Sequence, residues 1–237
     1  MVRPWVDRSL DRLGGLLLPP RCVLCGSRGQ PPCLDLCAAC ERDLPAADPA
    51  VGAGPDPLRH SFAPFSYRHP ADHLVRSLKY HGHLAVGRVL GSLLARRVDG
   101  IGLADGIDVL VPVPLHPARL AGRGFNQSAE IAHWVGRGLR CRVDAALATR
   151  RRDTPPQVGL PRTQRRSNLD GAFLAAAAVR GRRVAIVDDV MTTGSTASAL
   201  GQALLHAGAR SVSAWCVCRA PAPERLDWAP DLEVRQA

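Results

Sequence analysis

The sequence contains a single lysine, Lys79, and two asparagines, Asn126 and Asn168, although it carries 31 basic residues. Alanine, glycine, proline and arginine are abundant instead, a skew typical of GC-rich coding. The net charge of +10 therefore fits either a generally basic surface or a surface for nucleic acid or polyphosphate. Against this background, rare residues inside compact motifs are the candidates for specific roles.

Aromatic residues make up 4% of the chain, so few rings are available to stack on nucleic-acid bases. No apolar run approaches the roughly 20 residues needed to cross a membrane. The leucines at 16–18 form too short a run for a signal peptide, and charged residues interrupt the segment before them. We predict a short amphipathic helix over 5–18 and expect a cytoplasmic protein with reduced thiols.

Five of the eight cysteines fall between positions 22 and 40. The first C-x₂-C pair is Cys22 and Cys25, and the second is Cys37 and Cys40. Two such pairs in a reducing compartment predict a tetrahedral Zn²⁺ site, and a closed shell of four thiolates makes the metal structural. A redox motif or a disulfide is the competing interpretation, but neither needs two matched pairs. Cys33 used together with Cys37 is an alternative ligand choice.

A strand, an acidic pair, a hydroxyl-rich loop and a helix follow one another from residue 184. The apolar run 184–187 predicts a buried strand that ends at Asp188 and Asp189. The loop and helix start then read Thr192, Thr193, Gly194, Ser195 and Thr196. Backbone N–H groups at a helix N-terminus can hold a phosphate. The carboxylates suit sugar hydroxyls, with or without a divalent cation, so the pattern predicts a phosphorylated sugar as ligand.

Two simpler interpretations of this segment stay open at this point. Serine or threonine at such a turn can serve only to cap the helix. Two consecutive aspartates at a strand end can be solvated surface residues.

The chain divides by composition into three parts. Residues 1–45 hold the cysteine module, residues 46–57 are a Pro- and Ala-rich linker, and residues 58–237 form the main domain. In that domain we predict strands at 62–67, 109–113, 143–147, 184–187 and 211–217, and helices at 71–80, 84–98 and up to 139. This alternation predicts a doubly wound, parallel α/β sheet with helices on both faces. Ligands bind beyond the strand C-termini of such sheets, so the loops after 109–113 and 184–187 should converge.

The segment 150–168 is rich in arginine and has no apolar periodicity. Its length of about 19 residues is unusual for a simple connection. We interpret it as a basic flap that includes Arg150 and Arg166, whose guanidinium groups would neutralise pyrophosphate. A solvated basic loop is the alternative.

The acidic run resembles the phosphoribosyl pyrophosphate (PRPP) binding motif of type I phosphoribosyltransferases. Together with other segments it resembles the ComF family, in which a Cys₄ zinc module precedes a type I phosphoribosyltransferase domain. The segments that carry the resemblance are 18–22, 78–82, 112–116, 123–127, 156–157, 166–168 and 184–196. Ser195 departs from the pattern, because many transferases of this class have a second glycine there. Cys33 is an additional cysteine outside the family pattern.

The resemblance implies a Mg²⁺-dependent transfer of a ribosyl group from PRPP to an unidentified acceptor. The loop 192–196 would bind the 5-phosphate, and Asp188 and Asp189 would bind the ribose hydroxyls or their metal. Candidates for the pyrophosphate are Lys79, Arg123, Arg150 and Arg166. Lys79 could instead serve only to join its helix to the sheet.

The family name also implies an alternative function. The phosphoribosyltransferase fold would then be a scaffold that binds single-stranded DNA during DNA uptake and natural transformation, together with DNA-uptake proteins. The basic flap and the zinc module would face the strand, and binding would weaken with salt.

Overall fold

The computed structural model describes residues 20–30, 35–48, 50–152 and 171–220. The predicted helix over 5–18, the extra cysteine Cys33 and the flap residue Arg166 lie outside the described residues. Within them, no helix combines the length and the hydropathy that a membrane crossing requires.

Eight strands occur in the described part of the chain. They are β1 (Val51–Ala53), β2 (His60–Phe62), β3 (Phe65–Ser66), β4 (Val109–Pro112), β5 (Ala148–Arg150), β6 (Phe173–Ala175), β7 (Arg183–Met191) and β8 (Ser211–Arg219). Six of them form one sheet in the order β1-β2-β8-β7-β4, with β3 also paired to β8. All pairs in this sheet are parallel except β1 with β2. β5 and β6 form a separate antiparallel pair.

Six α-helices connect the strands among the described residues. They are α1 (Ala38–Arg42), α2 (Ala71–His81), α3 (Leu84–Asp99), α4 (Pro117–Arg123), α5 (Gln127–Leu139) and α6 (Ser195–His206). The helices predicted at 71–80, 84–98 and up to 139 are confirmed as α2, α3 and α5. α2 ends at Gly82, whose φ of 65° lets its N–H bond to the Leu78 carbonyl.

Helices cover both faces of the sheet, as the alternation predicts. Alternating residues along β7 enter different cores: Ala185 and Val187 pack with α2, α3 and α5, whereas Val184 and Ile186 pack with α6. This alternation follows from the two-residue period of a strand. The strands β4 and β7 are buried on both faces, which explains their continuous apolar runs.

The cysteine segment packs onto the face of the sheet that carries α2 and α3. Cys22, Leu36 and Leu44 are buried in the same core cluster as those helices. Two ion pairs join the segment to α3: Arg88 Nε donates to Asp35 at 2.6 Å, and Arg96 Nη2 to Glu41 at 2.6 Å. The cysteine module is therefore continuous with the main core.

Part of the predicted linker over 46–57 belongs to the sheet, because β1 lies inside this range. The residues that follow contact α6, where the Ser198 hydroxyl donates to the Asp56 carbonyl at 2.8 Å. Prolines and glycines in this stretch therefore shape a connection that runs along the domain surface.

Two predicted strands differ from the structure. The prediction of a strand at 143–147 is wrong: Val143 forms one isolated bridge to Leu110, and Ala145–Leu147 is a 3₁₀ turn. The Asp144 side chain accepts the Ala146 N–H at 3.1 Å and starts that turn. The single strand predicted at 62–67 is divided into β2 and β3, because Pro64 between them has no N–H to donate.

Glycines allow α3 and α5 to approach closely. A Cβ atom at Gly91 would lie 2.5 Å from the Trp134 Cβ and 2.7 Å from the Ile131 carbonyl oxygen. Such distances require the helix backbones to separate.

We expect Gly91→Ala to lower the free energy of unfolding by about 1–3 kcal/mol, because the added methyl group overpacks this crossing. Gly122→Ala is the matched control, since a Cβ there meets nothing within 4 Å. It should be neutral or stabilising by up to about 1 kcal/mol through helix propensity. Urea unfolding of both variants measures the difference, and equal stabilities would contradict the close approach.

Candidate functional site

The acidic pair lies within β7 and not beyond its end. The predicted strand end at residue 187 is wrong, because β7 continues to Met191 and stays paired with β8 as far as Arg219. Asp188 is half-buried, and Asp189 is 4% exposed. Both carboxylates are therefore built into the sheet and need protein partners.

Each carboxylate is held by a different helix. The Ser128 hydroxyl on α5 donates to Asp188 Oδ1 at 2.7 Å. The Lys79 ammonium on α2 lies 3.2 Å from Asp189 Oδ2. Main-chain bonds add to these contacts: Asp188 Oδ1 also accepts the Asp189 N–H, and Asp189 Oδ1 accepts the Val190 N–H, both at 2.9 Å.

Lys79 therefore contacts an acid of the candidate sugar site. Burial alone would lower the pKa of Lys79, but attraction to Asp189 and Asp188 outweighs it and raises this pKa. The lysine is thus a permanent cation beside the acidic pair. This contact joins α2 to β7, as the alternative interpretation of Lys79 expects. A role of Lys79 toward pyrophosphate stays a prediction.

Asp188 has an unusual protonation equilibrium. Burial, and then repulsion from Asp189, raise the pKa of Asp188 to about 7, against the bond from Ser128. Asp188 can accordingly gain or lose a proton near neutral pH.

The hydroxyl-rich loop turns the chain from β7 into α6. Gly194 adopts a φ of 75° and has no side chain to cap the helix that follows it, whereas the Thr193 hydroxyl accepts the Ser195 N–H at 3.4 Å. Thr192 is exposed, and Thr193, Ser195 and Thr196 are half-buried. The hydroxyl groups of Thr193 and Ser195 lie 2.7 Å apart. First-turn amides without a side-chain cap are available to an anion.

Ser195 fits this turn without strain. Among the described residues, Arg140 is the only non-glycine residue with a positive φ. The serine therefore replaces the second glycine of the pattern without a left-handed backbone conformation.

The loop after β4 reaches the same region. The Asn126 side chain donates to the Val113 carbonyl at 3.0 Å and accepts the Ser128 N–H at 2.9 Å. One of the two asparagines thus starts α5 and positions Ser128 against Asp188. This chain of contacts connects the loop after β4 to β7 at Asp188; that this loop and the loop after β7 line one crevice stays a prediction.

Arg123, at the end of α4, is close to the end of α2. Its guanidinium carbon lies 6.0 Å from the centre of the Tyr80 ring, and its Nη1 donates to Gln127. Arg150 ends β5, and its guanidinium carbon lies 5.5 Å from the centre of the Phe173 ring. β5 and β6 flank the predicted flap, of which residues 153–168 lie outside the described residues.

Sequence reasoning missed Ser128 and the aromatic ring of Tyr80. Ser128 directly follows the segment 123–127, so its position next to a motif was the one available signal. Tyr80 lies within the segment 78–82, but a sequence pattern does not show which side chain faces a neighbouring loop.

The four predicted cysteine ligands come together. The sulfur atoms of Cys22, Cys25, Cys37 and Cys40 lie within 4.8 Å of one another. The Cys25 and Cys37 sulfurs are 3.7 Å apart, close to the separation of about 3.8 Å expected for thiolates on tetrahedral zinc. This cluster could hold a metal ion such as zinc.

The thiols of this cluster have different environments. The Cys40 N–H donates to Cys37 and, with the Ser27 hydroxyl, lowers the pKa of Cys37 to about 6. The Ser27 hydroxyl also lowers the pKa of Cys25. Burial raises the pKa of Cys40. Backbone and hydroxyl donors thus favour the thiolate form at two of the four positions.

Comparison with known proteins decides the family. Residues 80–236 match the family described as phosphoribosyl transferase domain. The DNA utilization protein YhgH of Escherichia coli K12 is 37% identical, over 78% of this chain and 84% of that protein. Competence protein F of Haemophilus influenzae is 31% identical, over 85% of each chain. The chain belongs to the ComF family. Its α/β domain is a type I phosphoribosyltransferase domain preceded by a Cys₄ cluster.

A search of solved structures finds matches to this ComF-family chain at low similarity. Glutamine phosphoribosylpyrophosphate amidotransferase from B. subtilis has 21% sequence identity and a TM-score of 0.39. The match covers 55% of this chain and 25% of that protein.

We expect metal removal to destabilise the whole ComF-family domain, because Cys22 shares a core with α2 and α3. Chelation, or Cys37→Ser, should lower the free energy of unfolding by about 3 kcal/mol or more. Hydrogen exchange should then accelerate at the β8 amides as well as in residues 20–44. Cys141→Ser, which changes a thiol outside the cluster, is the control. Protection of β8 that survives chelation would contradict this coupling.

We expect the stability of the domain to fall as the pH rises through about 7. The pKa of Asp188 is raised on folding, so its contribution is complete below about pH 4 and is lost as the folded group ionises near 7. Asp188→Asn keeps a neutral acceptor for Ser128. The free energy of unfolding of this variant, minus that of wild type, should therefore increase from pH 5 to pH 8. Urea unfolding at both pH values measures this, with the exposed Asp105→Asn as control. A difference that stays constant with pH would contradict the raised pKa.

Proposed function

We propose that this chain binds PRPP, or a related ribosyl phosphate, at the C-terminal end of β7, and transfers the ribosyl group to an acceptor with Mg²⁺. One observation carries the proposal. The two carboxylates that precede the hydroxyl-rich helix start are held in fixed positions by Lys79 and Ser128. A helix N-terminus favours a phosphate, and the carboxylates favour hydroxyl groups or a cation.

Different residues would bind different parts of the ligand. The 5-phosphate would accept bonds from the loop amides and from the hydroxyl groups of Thr192, Thr193, Ser195 and Thr196. Asp188 and Asp189 would orient the ribose through its hydroxyl groups. Mg²⁺, when bound, supplies positive charge that stabilises the leaving pyrophosphate. Arg123 and Lys79, with Arg150 and Arg166 of the flap, are the proposed partners of that group.

The proposed reaction is a substitution at the anomeric carbon. A bond forms from the acceptor nucleophile to this carbon, and the carbon–oxygen bond to pyrophosphate breaks, with its electron pair leaving on the pyrophosphate. The chain contributes by positioning the ribose and by stabilising the charge that develops on the leaving group. With a pKa of about 7, Asp188 is suited to hold the nucleophile's proton near neutral pH.

A second candidate function is binding of single-stranded DNA in DNA uptake. Relatives named DNA utilization protein and competence protein F support it, as does the net charge of +10. The phosphoribosyltransferase domain would then hold a nucleotide end or act as a scaffold.

We expect Mg²⁺ and PRPP together to raise the melting temperature of the wild-type protein, and the double variant Asp188→Asn, Asp189→Asn to lose this shift. The reason is that neutral amides bind neither a divalent cation nor ribose hydroxyls as carboxylates do. Differential scanning fluorimetry measures the shift, and Asp105→Asn should keep it. Retention of the full shift in the double variant would contradict the proposed site.

The same proteins separate the two candidate functions. Pyrophosphate release with a metabolite pool as acceptor, present in wild type and lost in the double variant, is the result expected of a transferase. PRPP binding without release for any acceptor class would contradict transfer. Single-stranded DNA binding that survives in the double variant would place the DNA outside the PRPP site.

A further inference from the structure

A basic cleft opens between the end of α2 and α4, next to the acidic pair. Its volume is about 510 Å³, within the range of small-ligand sites. Tyr80 and Phe125 contribute rings, and the cations come from Lys79, Arg119 and Arg123. Among the described residues that line the cleft, none is acidic. Its charge and its aromatic content therefore suit an anion that carries a flat, aromatic group.

Tyr80 is the exposed ring of this cleft. Its exposed fraction is 68%, the largest among the exposed large hydrophobic residues that the structure describes. The Arg123 guanidinium lies 6.0 Å from the ring centre. An aromatic ring next to a guanidinium group is a stacking surface for nucleic-acid bases.

Two glycines line the same cleft. A Cβ at Gly122 would meet nothing within 4 Å, and one at Gly82 would meet only the Phe125 ring, at 3.8 Å. A planar ligand can therefore approach the backbone at both positions. The chain turns at Gly82 with a φ of 65°, so Tyr80 lies in the last turn of α2, one residue before its end at His81.

The cations of the cleft divide into two groups. Lys79 faces Asp189 at 3.2 Å and so links the cleft to the acidic pair. Arg123 donates through Nη1 to Gln127, and a guanidinium group has five N–H donors. Arg119 lies on the same helix, four positions earlier, and therefore on the same side of it. Two guanidinium groups on one helix face suit a phosphate.

We propose that this cleft binds a nucleotide, with its base stacked on Tyr80 and its phosphate held by Arg119 and by Arg123, whose five N–H donors allow it to contact the pyrophosphate of the neighbouring ligand as well. The inference deepens the proposed function and rests on it for the identity of the neighbouring ribosyl phosphate. It names nucleotides as the class of molecule that binds beside that ligand. The nucleotide comes either from a free mononucleotide or from a single strand of DNA.

The test uses the full-length, zinc-loaded protein. The probe is a fluorescently labelled oligothymidylate of roughly 15 nucleotides, within the range that single-strand binding folds cover. Unlabelled dTMP and AMP are competitors, and fluorescence anisotropy gives the dissociation constants. Tyr80→Ala should weaken binding roughly tenfold, as expected for loss of one stacked base. Tyr80→Phe keeps the ring and should bind within about twofold of wild type.

Ile101→Ala is the matched surface control. Its side chain is also exposed, and it follows the far end of α3, a helix of 16 residues and about 24 Å in length. This variant should bind as wild type does. Competition by dTMP or AMP indicates a free nucleotide as ligand, whereas displacement by unlabelled oligonucleotide alone indicates a DNA strand. Both results support the cleft.

Equal affinities of wild type and Tyr80→Ala, or no nucleotide binding by the wild type, would overturn the inference. The melting-temperature shift with Mg²⁺ and PRPP is measured on the same samples and should persist in Tyr80→Ala. A protein that binds oligonucleotide through Tyr80 but shows no PRPP shift would refute the proposed function and not the cleft. A PRPP-dependent shift in a protein whose nucleotide binding does not depend on Tyr80 would refute the cleft and not the proposed function.

Discussion

The buried carboxylate of Asp189 requires a cation, and the single lysine of the chain supplies it from α2 at 3.2 Å. An unpaired charge at this depth is strongly unfavourable, so the pair holds α2 against β7. Ser128 makes the corresponding bond from α5 to Asp188. The acidic pair therefore ties two helices to the end of the sheet at which the hydroxyl-rich loop begins. The residues that organise this edge are also the residues that would contact the sugar.

The cysteine cluster is connected to the same architecture. Its segment shares the core of α2 and α3, and ion pairs to Arg88 and Arg96 connect it to α3. A metal in this cluster would stabilise a segment that shares a core with α2, the helix that carries Lys79 and Tyr80. The small module thus supports the position of the site without contributing an open coordination position to it.

Features with a strong local pattern were predicted well from the sequence. The helices α2 and α3 have regular apolar faces and ordinary end signals, and the C-x₂-C pairs bring their sulfurs together as the spacing indicates. The strand at 143–147 was predicted wrongly, because a short apolar run does not reveal that Asp144 bonds to the Ala146 N–H and starts a turn. The end of β7 was also misplaced. Its last four residues are strand because β8 pairs with them, and charged residues alone suggest a loop.

The sequence by itself determined the order of strand, acids, hydroxyl loop and helix, and the two C-x₂-C pairs that form the cysteine cluster, because these depend on neighbouring residues. Only the tertiary structure decided that Lys79 faces Asp189, that Ser128 binds Asp188 across 60 residues of chain, and that Arg123 approaches Tyr80. The physical reason is that a periodic pattern reveals which face of a helix is buried. The partner that this face meets depends on how all the helices pack on the sheet at once.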